Sequence, residues 1–104
     1  MIPKPLRPFM ERLFAATNNG EVSWKEGAEQ AYFAAHKNAN LHMRYVFDHD
    51  TGDSGYTFQI TRGEGDAFLS VQSFEDDHRF MRNLFSAISV NAAGGADFVD
   101  DLFD

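Results

Sequence analysis

Residues 41–61 read LHMRYVFDHDTGDSGYTFQIT. Leu41, Met43, Tyr45 and Phe47 alternate with His42, Arg44, Val46 and Asp48, and beyond DHDTGDSG, Tyr56, Phe58 and Ile60 alternate with Thr57, Gln59 and Thr61. Successive side chains of a strand point to opposite faces, so each run has one apolar face. Two such runs around a cluster of Asp, Gly and Ser predict an antiparallel hairpin.

The neighbouring segments extend it. Gly63, Glu64, Gly65 and Asp66 predict a turn, and AFLSVQS, 67–73, a further strand. Upstream, AYFAAH, 31–36, is ambiguous between helix and strand. Its three alanines favour a helix, while Asn38 and Asn40 favour a strand feeding a hairpin, and the strand is the expectation. EVSW, 21–24, alternates with Val22 and Trp24 on one side and predicts a short strand, with 25–30 as a polar connection. Phe9, Met10, Leu13, Phe14 and Thr17 form an apolar stripe at three- and four-residue steps. A helix over 6–18 follows, with Pro8 in its first turn and Asn18, Asn19 and Gly20 stopping it.

Ser73 is expected to open a second helix through a capping box with Asp76. Glu75, Asp76 and Asp77 would complement its dipole, Glu75 and Arg79 would pair, and Met81, Leu84, Phe85 and Ile88 would face the core. Gly94 and Gly95 would end it. The expected fold is a single α+β domain over 1–92. An antiparallel meander of four to five strands is flanked by an N-terminal and a C-terminal helix, and a glycine-hinged tail occupies 93–104. Leu13, Phe14, Trp24, Tyr45, Phe47, Phe58, Ile60, Leu84, Phe85 and Ile88 are the expected core.

A chain of 104 residues suits one core. Eleven Phe, three Tyr and one Trp predict ring-on-ring packing within it. There is no cysteine, which excludes disulfides and thiolate metal sites and fits a reducing cytoplasm. MIPKPLRPF has no apolar core and is not expected to be a signal peptide. No apolar run approaches the roughly 20 residues of a membrane span. The net charge of −7 disfavours direct nucleic-acid binding.

The chemistry-bearing residues give no catalytic constellation. Asp48, Asp50 and Asp53 suggest a calcium loop, but Gly52, Asp53 and Gln59 stand where that loop needs an acid, a Gly and a Glu. A solvated hairpin loop explains them. His36, His42, His49 and His78 lack the close spacing of zinc ligands. The serines lie in no nucleophile elbow. The expectation is a non-enzymatic protein without cofactor or metal.

In LFAATNNGEVSW, 13–24, a helical stripe runs into Thr17, Gly20, Val22 and Trp24. This spacing resembles the opening of small uncharacterised bacterial proteins. The resemblance covers about a quarter of the chain. It implies a helix leading into an antiparallel sheet, and no activity. Many such proteins act by binding a partner, as immunity or inhibitor proteins do.

The sequence closes on NAAGGADFVDDLFD, 91–104. At about 100° per residue, Phe98, Val99, Leu102 and Phe103 fall on one side of a helix and Asp97, Asp100, Asp101 and Asp104 on the other. So short a helix forms only against a surface, which is either its own domain, with the tail folded back on the bases there, or a partner's groove; without one the tail is simply disordered. The tail is also similar to the acidic tips of single-stranded-DNA-binding proteins, although those end in Pro and Phe. Asp97, Phe98, Val99, Asp100, Asp101, Leu102 and Phe103 are therefore the candidate partner-binding residues, suited to an apolar groove with a basic rim. The expected function is protein binding, as inhibitor, immunity-type factor or adaptor. The alternatives are a DNA mimic, with acids at phosphate-like spacing, and a secretion-chaperone-like protein, a class that is also small, acidic and α+β.

Overall fold

A computed structural model describes residues 1–103; Asp104 lies outside the described residues. The chain opens with a 3-10 turn, Lys4–Leu6, and continues into helix α1, Arg7–Asn18. Five strands follow: β1 Lys25–Glu26, β2 Ala31–His36, β3 Ala39–Phe47, β4 Ser54–Arg62 and β5 Gly65–Gln72. Helix α2, His78–Ala93, follows β5, and a second 3-10 turn spans Gly95–Phe98. The strands form one antiparallel meander in the order β1-β2-β3-β4-β5, so the expected α+β architecture is the observed one. No helix among the described residues is long and apolar enough to cross a membrane.

The alternation in 41–61 produces the register. Leu41 pairs with Ile60, Met43 with Phe58 and Tyr45 with Tyr56, so the apolar sets of β3 and β4 lie on one face. Leu69 and Val71 continue that face on β5, and Ala34 on β2. Met10 and Leu13 of α1 and Met81, Leu84 and Ile88 of α2 close over it. Phe85 lies at the centre of an aromatic cluster, with Tyr56 at 5.2 Å, Tyr32 at 5.3 Å and Tyr45 at 6.4 Å. Burial, and then the neighbouring Tyr45, raise the Tyr56 hydroxyl above its ordinary pKa.

Three expectations are corrected. Residues 21–24 form no strand; pairing begins at Lys25–Glu26. Val22 and Trp24 are nevertheless buried, because side-chain bonds pin this segment against the core from outside the sheet. Alternate burial in a pinned loop therefore imitates a strand. Next, α2 starts at His78, not near Ser73, and its first turn carries no side-chain cap. Glu75 and Asp77 have other partners. Asp77 Oδ2 accepts from the Ile2 N–H at 2.8 Å and Oδ1 from Arg7, while Glu75 pairs with the Met1 ammonium and accepts from the Gln72 N–H at 2.6 Å. With Glu75 outside the helix, its expected i,i+4 pairing with Arg79 has no helical basis. Lastly, Phe47 is 46% exposed. It ends β3, past the cluster around Phe85, and its ring meets the His49 imidazole edge-on.

Residues 48–53 of the DHDTGDSG stretch form a hydrogen-bonded loop, and Ser54 and Gly55 begin β4. Asp48 Oδ1 accepts from the Asp50 and Thr51 N–H groups, and the Asp48 N–H donates to the Asp53 carbonyl. Asp48 thus serves as an internal loop acceptor.

Candidate partner-binding surface

The two helices end side by side. Asn91, in the last turn of α2, donates through Nδ2 to the Thr17 carbonyl at 3.0 Å and the Val22 carbonyl at 2.8 Å, while its Oδ1 accepts from the Trp24 N–H at 2.8 Å. Trp24 Nε1 donates to Thr17 Oγ1 at 3.1 Å, deep in the core. Thr17, Val22 and Trp24 are the residues of the opening motif, and this arrangement gives them a structural role. They form a fastener between the helix ends, with Asn91 as its clasp. Gly20, at φ +82°, supplies the left-handed turn the motif needs.

The chain leaves α2 through Gly94 and Gly95, at φ +121° and +64°. Both conformations are costly for residues with a Cβ. The glycines thus set a definite exit direction. Beyond them, Val99 N–H donates to Ala96 O and Leu102 N–H to Val99 O, each at 3.1 Å. These are three-residue turns, a tighter path than the α-helix expected of the tail against a surface. In three-residue steps Ala96, Val99 and Leu102 form one file, Phe98 and Asp101 another, and Asp97, Asp100 and Phe103 a third. The clean division of acids from apolar groups needs an α-helix and is absent from this path. A short segment without a tertiary partner gains too little from α-helical bonds to hold them.

All seven candidate residues lie on this path and none packs into the core. Phe98 is 66% exposed, Leu102 67% and Phe103 99%. Among the described residues, ion pairs join Met1 to Glu75, Arg7 to Asp77 and Arg44 to Glu29; none reaches Asp97, Asp100 or Asp101. Arg7, one of the bases available to a folded-back tail, is held by Asp77 at the start of α2.

Sequence reasoning missed the ground beside the tail. An open cavity of about 520 Å³ lies between the ends of α1 and α2, lined by Asn18, Asn19, Ser23, Val90, Asn91 and Asp97 among others. Both helices present their carboxyl ends here, the negative ends of their dipoles. Asp97 adds a full negative charge. The cavity therefore favours a cation or a hydrogen-bond donor over an anion. Its walls come from segments about 70 residues apart, as the 74-residue separation of Asn91 and Thr17 shows, and no local pattern could reveal it.

The histidines do not converge. His42 stacks on Phe33 with ring centres 4.6 Å apart, His49 meets Phe47 and His78 meets Tyr56. No protein-family model, curated protein or solved structure matches this chain.

Proposed function

We propose that this protein acts without catalysis, by binding another protein through residues 97–103 and the cavity beside them. The observation that carries this reading is the exposure of Phe98, Val99, Leu102 and Phe103 on a path held away from the parent core. Four large apolar groups in seven residues are costly to leave in water, and burial of each contributes about 2 kcal/mol when a groove receives it. Asp97, Asp100 and Asp101 steer towards a basic rim. The neighbouring cavity, facing two helix carboxyl ends, suits a lysine or arginine of the same partner. An inhibitor, an immunity-type factor or an adaptor, acting in the cytoplasm, fits this chemistry.

The test is capture of partners from the native cell by the full chain, by a chain lacking 97–104, and by Phe98→Ser/Phe103→Ser. The full chain should retain a partner that both variants lose. The truncated chain should keep its melting temperature within about 2 °C, because the side chains of 97–103 are exposed. A partner retained by both variants but lost on neutralising body acids would sink the tail reading in favour of a DNA mimic. A retained unfolded secretion substrate would favour the chaperone-like alternative.

A further inference from the structure

Both helices cover one face of the sheet, and the other face is bare. The pairing registers place Lys25, Phe33, His42, Gln59 and Phe68 in a single row across all five strands on this open side. Phe33 is 48% and Phe68 63% exposed. One-sided antiparallel sheets ordinarily present polar residues to water, so a Phe on both β2 and β5 calls for a partner.

The charge pattern says which. The chain has 16 acids and a net charge of −7, so most of its surface repels a second copy. The open face differs. Among the outward positions of β2 to β5 the charged residues are Arg44 and Asp66, and each has a partner within its own chain. Arg44 pairs with Glu29 at 2.9 Å, and Asp66 accepts from Thr61 Oγ1 at 2.6 Å. The rest of the face is Ala, Thr, Ser, Asn, Gln, Gly, Val, His and Phe. Here two copies meet without acid facing acid.

The row is also self-complementary. A two-fold axis along the strands, between β3 and β4, lays β2 of one copy over β5 of the other. Phe33 then meets the second copy's Phe68, and His42 meets the second copy's Gln59, each contact occurring twice, as an isologous interface requires. Phe33 is already set for this. Its ring is held between His42 and the backbone of Gly27, where an added Cβ would come within 2.3 Å of it.

We propose that this open sheet face is a self-association surface and that the protein pairs face to face with a second copy of itself. Strand spacing and rise give a patch of roughly 20 by 25 Å, about 500 Å² per copy, the low end for a specific interface. The dimer is therefore weak and concentration-dependent.

Sedimentation equilibrium from about 10 µM to about 1 mM tests it, a range that brackets weak interfaces of this size. The mass should climb from 11.7 kDa towards twice that value. Phe68→Asp, which counts twice in a symmetric pair, should weaken association by about a hundredfold or more. Phe103→Asp, on the tail, should associate like the parent. Dilution of the parent protein should move the amide resonances of Phe33, His42, Gln59 and Phe68 selectively, a readout independent of any variant's folding. A monomer throughout the range overturns the proposal. So does association that survives Phe68→Asp and fails in Phe103→Asp, which places the contact on the tail.

Discussion

Asn91 uses one amide to satisfy three backbone groups from two other segments. Each is part-buried, and removing a shared partner exposes all three to the cost of an unmade hydrogen bond. Asn91→Ala should destabilise by about 2–3 kcal/mol in urea unfolding, whereas Asn83→Ala, exposed on the same helix, should stay within about 0.5 kcal/mol. Equal midpoints for the two variants would refute the fastener. Asn91 stood out in the sequence only as the first residue of the closing stretch 91–104, and Thr17, Val22 and Trp24 as a motif. That the first serves the other three was not legible. Hydrogen-bond partners 67 to 74 residues apart leave no periodic trace.

Strands and helices were the most legible level. The alternation in 41–61 encodes β3, β4 and their register, because a slip of one residue would turn Leu41, Met43 and Phe58 into water. Gly55 shows the limit. At the edge of the DHDTGDSG cluster it reads as a turn residue, but it lies inside β4, opposite Gln72, where an added Cβ would come within 2.5 Å of the Val71 carbonyl oxygen. Backbone cannot yield as a flexible side-chain tip can. Gly55→Ala should cost about 1–3 kcal/mol, while Gly65→Ala, whose Cβ would meet only the Arg62 carbonyl at 3.5 Å, should cost less than about 0.5 kcal/mol. Thermal melts of the pair check this, and a Gly55 variant as stable as the parent would show that β4 and β5 can part.

Across the whole molecule, the N-terminal segment is clamped to the start of α2. The Ile2 N–H and then Arg7 hold the Asp77 carboxyl below its ordinary pKa; the Gln72 N–H and then the Met1 ammonium do the same for Glu75. Ile2, buried between these contacts, belongs to the core. A carboxyl with a depressed folded pKa contributes stability above its unfolded pKa, which is lost as pH falls through the folded value. The melting temperature should thus fall over the acid interval that begins at the ordinary carboxylate pKa of about 4 and runs downward from it. Glu75→Gln/Asp77→Asn should start lower at pH 6 and fall less over that interval. Parallel curves for parent and variant would exclude the clamp as the acid-sensitive element.

The sequence by itself determined the order of elements, the meander and most of the face that becomes core, because period-2 and period-3.6 patterns are local and the hydrophobic effect reads them directly. It also marked residues 97–103 as unlike the body. Tertiary structure alone decided that Val22 and Trp24 are buried from a loop, that Glu75 and Asp77 hold the N-terminus before α2 begins, and that Phe33 and Phe68 share a row on an uncovered face. Each of these is a meeting of segments far apart in the chain. Such meetings are set by strand order and by which face the helices cover, and periodicity within one segment carries no record of either.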